Sequence, residues 1–311
     1  MRTIRFSTYG GPSVLEAADI PRPAPGPGEA LLRVSGTTFN QVDATIRAGY
    51  LAGAFPVELP HTPGIDVSGT VVAVGDGAPV RLVGDEVIAF LPMTVPGSAA
   101  EYVRVPTELL APAPRSVALA DAAALASSGL TAWQALFEHA DVQPGQRVLV
   151  NGAGGGVGAF AVQLAARAGA TVIATASARS RDAVAAHGAA EVIDYTTTSV
   201  AEAVTQPVDV VVNLVRTTPE ETAALVALTA PGGVFVSTTG PVDIAPRTDI
   251  RSVGLFARSD AAQLAQLAHL VDAGELRLDV SARYPLEELA HVHALAEAGE
   301  LRGKVVLTPG G

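Results

Sequence analysis

The glycine run at residues 152–158 has the composition of a phosphate-binding turn. It follows the β-branched run RVLVN, and apolar residues then recur at helical spacing as far as Ala168, so strand, turn and helix are predicted in that order. Backbone N–H groups at such a helix start attract a pyrophosphate, and glycine lets the backbone approach it. An ordinary turn is the alternative, but the flanking strand and helix favour a dinucleotide. The A-x-G-x-x-G pattern assigns its binding to Ala153, Gly155, Gly156, Val157 and Gly158.

The next strand-like run, TVIAT, ends without the acidic residue that usually binds the ribose hydroxyls of NAD. Ala176 and Ser177 occupy that place. Ser177, Arg179 and Arg181 offer hydroxyl and guanidinium donors to a 2′-phosphate, which predicts NADPH as the cofactor. In the alternative interpretation, the two arginines are only solvated residues at the start of a helix.

Short β-branched runs alternate with helical segments from about residue 147 to residue 258, which is typical of a parallel sheet with helices on its faces. Residues 1 to about 110 instead indicate irregular antiparallel β structure. Two helical stretches and the strand GKVVLTP follow Arg258, and this tail is too short for a core of its own. We therefore expect an α/β protein in which the tail packs on the first domain.

The composition excludes several classes of function. With 20 basic and 31 acidic residues, the net charge of −11 opposes binding to nucleic acid or to anionic lipid. The chain contains no cysteine, which excludes thiolate metal sites, and Val305 after its single lysine, Lys304, excludes a P-loop. No apolar stretch reaches the roughly 18 residues of a membrane span, and the first residues lack the apolar segment of a secretory signal. We expect a cytoplasmic protein.

Eight stretches of the chain, in this order, resemble the zinc-free, zeta-crystallin-like quinone oxidoreductase branch of the medium-chain dehydrogenase/reductase superfamily. The resemblance implies a GroES-like β domain formed by residues 1–122 and 258–311, and a Rossmann domain with a doubly wound parallel sheet at residues 123–257. The matching stretches are GTTFNQVDATIRAG, PGIDVSGTVVAVG, VGDEVIAF, GSAAEYVRVP, AALASSGLTAWQALF, VQPGQRVLVNGAGGGVG, HGAAEVIDY and RGKVVL.

The positions that bind zinc in metal-dependent relatives carry other residues in this chain. Those relatives place cysteine where Asn40 stands, and His-Glu where Ile65 and Asp66 stand. Isoleucine has no ligand atom, and an asparagine amide is a poor zinc ligand. The four-cysteine lobe of a structural zinc site is also missing after DEVIAF. The sequence therefore predicts catalysis without a metal.

The resemblance places Asn40 and Asp43 near the nicotinamide, and their spacing predicts that both lie on one face of a helical turn. Asn40 is expected to donate its amide N–H to the substrate oxygen, where negative charge develops as hydride arrives. Asp43 would orient Asn40 or a water; alternatively, it only caps the helix DATIRAG. Tyr50 is a third catalytic candidate, as donor or acid, although it lies one residue from the position of the family tyrosine. Its alternative is a half-buried aromatic.

Three further residues are expected to contact the cofactor. The resemblance places Thr131 beside the nicotinamide and Tyr195 near the adenosine 2′-phosphate. Asn213 follows an apolar strand, at the carboxyl end where ligands bind to such sheets. Ser127 and Ser128 lack the G-x-S-x-G arrangement of a hydrolase, so no nucleophilic serine is predicted.

Together with these features, the resemblance implies hydride transfer from NADPH to a quinone or to the β-carbon of an α,β-unsaturated carbonyl compound. An enoyl or polyketide-intermediate reductase and a non-catalytic NADPH-binding protein are the alternatives. The apolar strand SVGLFAR, at residues 252–258, would form an open sheet edge and predicts a homodimer. The substrate stays open, because we expect segments 47–60, 92–98 and 240–260 to shape the pocket.

Overall fold

The computed structural model describes residues 1–240, 242 and 247–310. Residues 241 and 243–246, which belong to the predicted pocket segment 240–260, lie outside the described residues. The chain divides into two compact units: unit 1 comprises residues 1–127 and 259–311, and unit 2 comprises residues 128–258. The sequence predicted boundaries at 122/123 and 257/258, which lie five residues and one residue before those between the compact units.

The first part of unit 1 is antiparallel β structure. Its longest strand, at residues 29–38, is buried along most of its length, because strands pair with it on both sides and apolar side chains cover it. The elements are β1 (Arg2–Arg5), β2 (Glu16–Asp19), β3 (Glu29–Thr38), α1 (Gln41–Arg47), β4 (Asp66–Val74), β5 (Glu86–Phe90), β6 (Tyr102–Pro106), β7 (Ala111–Pro112) and α2 (Leu119–Ala122).

Helix α3 (Ala126–Trp133) crosses the boundary between the units, and a π-helical turn follows at Gln134–His139. Strands and helices then alternate through unit 2, as the sequence predicts. The elements are β8 (Arg147–Asn151), α4 (Gly156–Arg167), β9 (Thr171–Ala176), α5 (Arg181–Ala186), β10 (Glu191–Asp194), α6 (Val200–Ala203), β11 (Val208–Asn213), α7 (Pro219–Ala227), β12 (Thr229–Ser237) and β13 (Arg251–Gly254).

The strands of unit 2 form a parallel sheet in the order β10-β9-β8-β11-β12-β13 among the described residues. The middle residues of β8 and β11 are apolar and buried, as expected for central strands of a sheet with helices on both faces. The strands that follow β8 in the chain, β9 and β10, lie on one side of it, whereas β12 and β13 lie on the far side of β11. The strand order therefore reverses between β8 and β11. In open α/β sheets, ligands bind at the carboxyl ends of the strands where the order reverses.

The tail returns to unit 1, where β15 pairs antiparallel with β3 and parallel with β14. Its apolar residues complete the core that also contains Phe6 and Ile46. The fold is the predicted α/β class. No helix in the described ranges has the length and apolarity needed to cross a bilayer. The elements are α8 (Ala261–Asp272), β14 (Val280–Pro285), α9 (Leu289–Glu297) and β15 (Lys304–Thr308).

Candidate active site

The glycine turn of unit 2 joins β8 to α4. Gly152 has a φ of +95°, and Gly155 is the N-cap of α4. A Cβ added at Gly158 would lie 2.5 Å from the Cα of Ala153, so this glycine lets the helix pack against the turn. A Cβ at Gly155 would meet only the carbonyl oxygen of Gly152, at 3.6 Å. The backbone at Gly155 is therefore open, beside the positive end of a helix, as a pyrophosphate requires.

Thr175, near the end of β9, holds this turn in place. Its hydroxyl accepts a hydrogen bond from the N–H of Gly152 at 2.8 Å, and its carbonyl accepts one from Ala153 at 3.1 Å. Because the backbone N–H can only donate, the Thr175 hydroxyl must use its own hydrogen elsewhere, and it donates to Asn151 Oδ1 at 2.9 Å. Asn151 Nδ2 in turn donates to Asn213 Oδ1 at 2.9 Å.

This hydrogen-bonded chain spans three neighbouring strands, β9, β8 and β11, at their carboxyl ends. Asn151 and Asn213 lie directly opposite each other where the strand order reverses. Asn213 is fully buried, and its Nδ2 has no hydrogen-bond partner among the described residues. A buried amide donor without an acceptor is costly, so Asn213 is suited to bind an acceptor group of a ligand.

The residues assigned to the 2′-phosphate follow the ends of two adjacent strands. Ser177 and Arg179 lie between β9 and α5, and Arg181 begins α5, where its Nη2 donates to the carbonyl of Val192 at 3.4 Å. Tyr195 follows β10, which pairs with β9, and is 57% exposed. Thr131 is half-buried on α3.

Asp66, the first residue of β4, is the centre of a polar cluster in unit 1. Its Oδ2 accepts hydrogen bonds from Thr38 Oγ1 at 2.5 Å, and from Asn40 Nδ2, Ser127 Oγ and Lys304 Nζ at 3.0 Å each. Its Oδ1 accepts one from the N–H of Ser127 at 2.7 Å. Burial alone would raise the pKa of Asp66, but the Lys304 charge and these hydrogen bonds hold it below its usual value. We call these five residues the Asp66 cluster.

Within the Asp66 cluster, every polar atom of the Asn40 amide has a partner. Asn40 Oδ1 accepts from Lys304 Nζ at 2.8 Å and lies 3.3 Å from Ser127 Oγ, whose single hydrogen can be donated either to it or to Asp66 Oδ2. Asn40 Nδ2 donates to Thr38 Oγ1 at 3.2 Å and to Asp66. For Asn40 to donate to a substrate, one of these bonds to the protein must be exchanged.

Asp43 lies in the first turn of α1. The hydrogen bonds described for its carboxyl group and those of the Asn40 side chain involve different residues. It is buried, and its Oδ1 accepts from the N–H of Gly64 at 3.1 Å. Its Oδ2 has no hydrogen-bond partner in the described part of the chain. Burial raises the pKa of Asp43 to about 7, although the hydrogen bond from the N–H of Gly64 lowers it. The two roles considered for Asp43, orienting Asn40 or a water and capping the helix, stay predictions.

Tyr50 follows α1 and is 80% exposed. The prediction that it is a half-buried aromatic is therefore wrong. Its catalytic assignment stays a prediction.

The side chains at the positions where relatives bind zinc do not form a set of metal ligands among the described residues. Ile65 is buried and apolar, and Asp66 pairs with Lys304. The described residues contain no group of three or more His, Cys, Asp or Glu side chains that could hold a metal ion. The chemistry of this donor set, an amide and a carboxylate already bound to an ammonium, does not fit zinc.

Two family models match the chain: the alcohol dehydrogenase GroES-like domain over residues 26–115 and the zinc-binding dehydrogenase over residues 187–307. The quinone oxidoreductase of Lama guanicoe is 34% identical, covering 99% of this chain and 97% of that protein. The chloroplast envelope quinone oxidoreductase homolog of Arabidopsis thaliana is 32% identical, covering 99% and 98%. The chain belongs to the quinone oxidoreductase family. This confirms the predicted membership of the medium-chain dehydrogenase/reductase superfamily.

Solved structures from this superfamily superpose along nearly the whole chain. A quinone oxidoreductase from Coxiella burnetii has a TM-score of 0.91 at 31% identity and covers 99% of both chains. An NAD-dependent alcohol dehydrogenase has a TM-score of 0.89 at 33% identity and covers 100% of both. The mycobacterial protein Rv1454c, complexed with NADPH, has a TM-score of 0.88 at 30% identity, covering 99% of this chain and 100% of that one. The GroES-like and Rossmann components of the fold are confirmed.

Sequence reasoning missed the residues that support the predicted ones: Thr38, Ser127 and Lys304 around Asn40 and Asp66, and Asn151 and Thr175 beside the turn. One signal for some of them was present in the composition. The chain has a single lysine and three asparagines, Asn40, Asn151 and Asn213, and the structure places all four in these two clusters. Thr38, Thr175 and Ser127 belong to common residue types and gave no such signal.

Proposed function

We propose that this protein is an NADPH-dependent oxidoreductase that reduces a quinone or an α,β-unsaturated carbonyl compound without a metal. The observation that carries this proposal is the glycine turn, whose open backbone at Gly155 fits a dinucleotide pyrophosphate. The names of the quinone oxidoreductase relatives support the reaction, and the NADPH complex of Rv1454c supports the cofactor. When bound, the nicotinamide supplies the hydride.

NADPH is favoured over NADH by the residues after β9. Ala176 and Ser177 place no negative charge there, and Arg179 and Arg181 supply guanidinium groups within five residues of the strand end. The double variant Arg179→Ala/Arg181→Ala tests this assignment. Steady-state kinetics should show a much larger rise in KM for NADPH than for NADH. Equal changes for the two cofactors would reject the 2′-phosphate site.

The role proposed for unit 1 is to stabilise negative charge on the substrate oxygen. Asn40 is the donor at the position where zinc-dependent relatives carry a metal ligand, and preorganised hydrogen bonds can replace a Lewis acid at such an oxygen. Solvent supplies the proton. Activity should be unchanged by chelators, and metal analysis of the purified protein should find far less than one zinc per chain. Loss of activity on chelation with recovery on zinc addition would contradict this role.

The substrate class is tested by the oxidation of NADPH, followed at its nicotinamide absorbance, with naphthoquinones, small enones and enoyl thioesters. Turnover of quinones or enones supports the proposal, and a strong preference for enoyl thioesters supports the enoyl or polyketide-intermediate reductase. Tight NADPH binding without turnover of any of them would favour the non-catalytic alternative.

We also propose a homodimer formed through β13. This strand lies at the end of the sheet order and pairs with β12 among the described residues, and Phe256 just beyond it is 59% exposed. An open edge beside an exposed aromatic favours pairing with a second copy. Sedimentation should show a dimer at micromolar concentration, and a monomer there would contradict the proposal. The cytoplasmic location stays a prediction, since the relatives include chloroplast proteins.

A further inference from the structure

Lys304 is placed beside Asn40 by the register of two strands. Val306 of β15 pairs antiparallel with Thr38 of β3, so two residues further along the ladder residue 304 comes opposite residue 40. The side chain of Lys304 is 4% exposed, and its Nζ lies 2.8 Å from Asn40 Oδ1 and 3.0 Å from Asp66 Oδ2. The single lysine of the chain is thus a buried component of the candidate site.

Lys304 determines which way the Asn40 amide points. An ammonium donates hydrogen bonds and accepts none, so the amide atom that faces it must be Oδ1. Nδ2 and its two hydrogens are then directed towards Thr38 and Asp66. Without Lys304, Asn40 Oδ1 would face only the Ser127 hydroxyl, which can both donate and accept, and the Asp66 carboxylate would be the one charged group left among the described contacts of the amide.

Asp66 receives more donors on one oxygen than that oxygen can bind well. Oδ2 is approached by Thr38, Asn40, Ser127 and Lys304, whereas a carboxylate oxygen has about two lone pairs. One donor can therefore leave without exposing an unsatisfied carboxylate. If the ammonium of Lys304 stays as the counter-ion and the Thr38 and Ser127 hydroxyls stay bonded, the amide hydrogen of Asn40 is free to be exchanged to a substrate oxygen.

We propose that Lys304 is a positioning residue. It fixes the orientation of the Asn40 amide so that one of its N–H groups can leave Asp66 and donate to the substrate oxygen instead. This inference rests on the proposed function, in which Asn40 binds that oxygen. The ammonium acts through Asn40. It also neutralises the negative charge of Asp66, so the negative charge that develops on the substrate oxygen does not face an uncompensated carboxylate.

Two variants separate positioning from mere stabilisation. Lys304→Met alone leaves Asp66 buried without its counter-ion and can unfold the protein, so Asp66→Asn/Lys304→Met is the informative variant. We expect this double variant to recover a wild-type melting midpoint and to bind NADPH with unchanged Kd, since the cofactor residues belong to unit 2. Its kcat should still fall at least tenfold, with a smaller change in substrate KM. Lys304→Arg should retain most of the kcat, because it keeps the charge and the donors.

If kcat returns to the wild-type value together with the melting midpoint, Lys304 is only structural and the proposal is overturned. A kcat that stays low in a folded double variant with wild-type NADPH affinity, and lower than that of Asp66→Asn alone, supports it. A kcat equal to that of Asp66→Asn assigns the loss to Asp66 and also overturns the proposal.

An NMR measurement on the free protein tests the positioning independently of activity. The three asparagines give three side-chain NH2 pairs in protein labelled with [¹⁵N]asparagine, and Asn40→Asp assigns the Asn40 pair. Asp66→Asn/Lys304→Met adds a fourth pair, at position 66, so Asn40→Asp is also made in that background to assign the Asn40 pair. The Asn40 pair should move far more between wild type and the double variant than those of Asn151 and Asn213, which lie in unit 2. An unmoved Asn40 pair would overturn the proposal. If wild-type protein turns over no substrate, the proposed function fails, while this measurement still decides whether Lys304 orients Asn40.

Discussion

Around Gly155 the protein offers backbone N–H groups beside an open surface, whereas around Asp66 it offers side chains that are already bonded to one another. The first region can bind a phosphate without rearrangement, because glycine leaves the space empty. The second must exchange a bond before it can bind anything. A ligand that stays bound through many contacts suits the first arrangement, and a charge that appears only during the reaction suits the second.

The two regions should therefore respond to different changes. Added volume should impair the turn, and altered charge should impair the Asp66 cluster. The following variants test that difference, beginning with the largest expected effect.

Asp66→Leu should lower the free energy of unfolding by about 3–5 kcal/mol, because it leaves the ammonium of Lys304 buried without its counter-ion. Denaturant unfolding followed by circular dichroism measures the change. Glu287→Gln is the matched control, since it breaks an ion pair with Arg2 whose side chains are 60% and 40% exposed. The control should lose less than about 1 kcal/mol. A loss of that size for Asp66→Leu would show that the buried pair is no more important than a surface pair.

Gly158→Ala and Gly155→Ala separate packing from ligand access within the turn. At Gly158 the added methyl group meets Ala153 at 2.5 Å, and we expect a loss of about 1–3 kcal/mol in the free energy of unfolding. At Gly155 the backbone φ of −89° suits alanine and the space is open, so stability should hardly change. NADPH affinity, measured by fluorescence titration, should nevertheless fall at least tenfold for Gly155→Ala. Unchanged affinity would remove Gly155 from the phosphate site.

Thr175→Val tests the hydrogen-bonded chain beneath the turn. It removes the acceptor of the Gly152 N–H and the donor to Asn151, and an unsatisfied buried group costs about 1–3 kcal/mol. Because the turn loses this support, Thr175→Val should also bind NADPH more weakly. Thr175→Ser keeps the hydroxyl and should retain most of the wild-type NADPH affinity. If valine and serine weaken NADPH binding equally, the methyl group rather than the hydroxyl supports the turn.

Asp43→Asn should change the pH dependence of stability. The folded-state pKa of about 7 lies above the ordinary value of 3.8, so the native protein holds a proton that the unfolded chain has released. The free energy of unfolding should then fall as pH rises between these values, by up to about 1.4 kcal/mol per pH unit from this group. The variant lacks this contribution and should become more stable relative to wild type from pH 5 to pH 7. Parallel melting profiles over that range would contradict the raised pKa.

The order of elements in unit 2 was predictable, because strand and helix periodicity are local properties of the chain. RVLVN, the glycines and the apolar stripe that follows them specify β8, the turn and α4, and Gly169, with a φ of +83°, follows the end of that helix. The tail was likewise predicted to join the first domain, and β15 pairs with β3. The surroundings of Tyr50 were not predictable, since its exposure depends on how the segment after α1 folds back.

The sequence by itself determined the element types and the glycine turn, because each depends on residue identity and near neighbours. The tertiary structure decided which groups meet. It paired Lys304 with Asp66 and Asn40, at separations of 238 and 264 residues along the chain, and it distinguished Gly155 from Gly158 by the atoms around each. Such contacts arise from strand register and burial, which bring distant residues together irrespective of their spacing in the sequence.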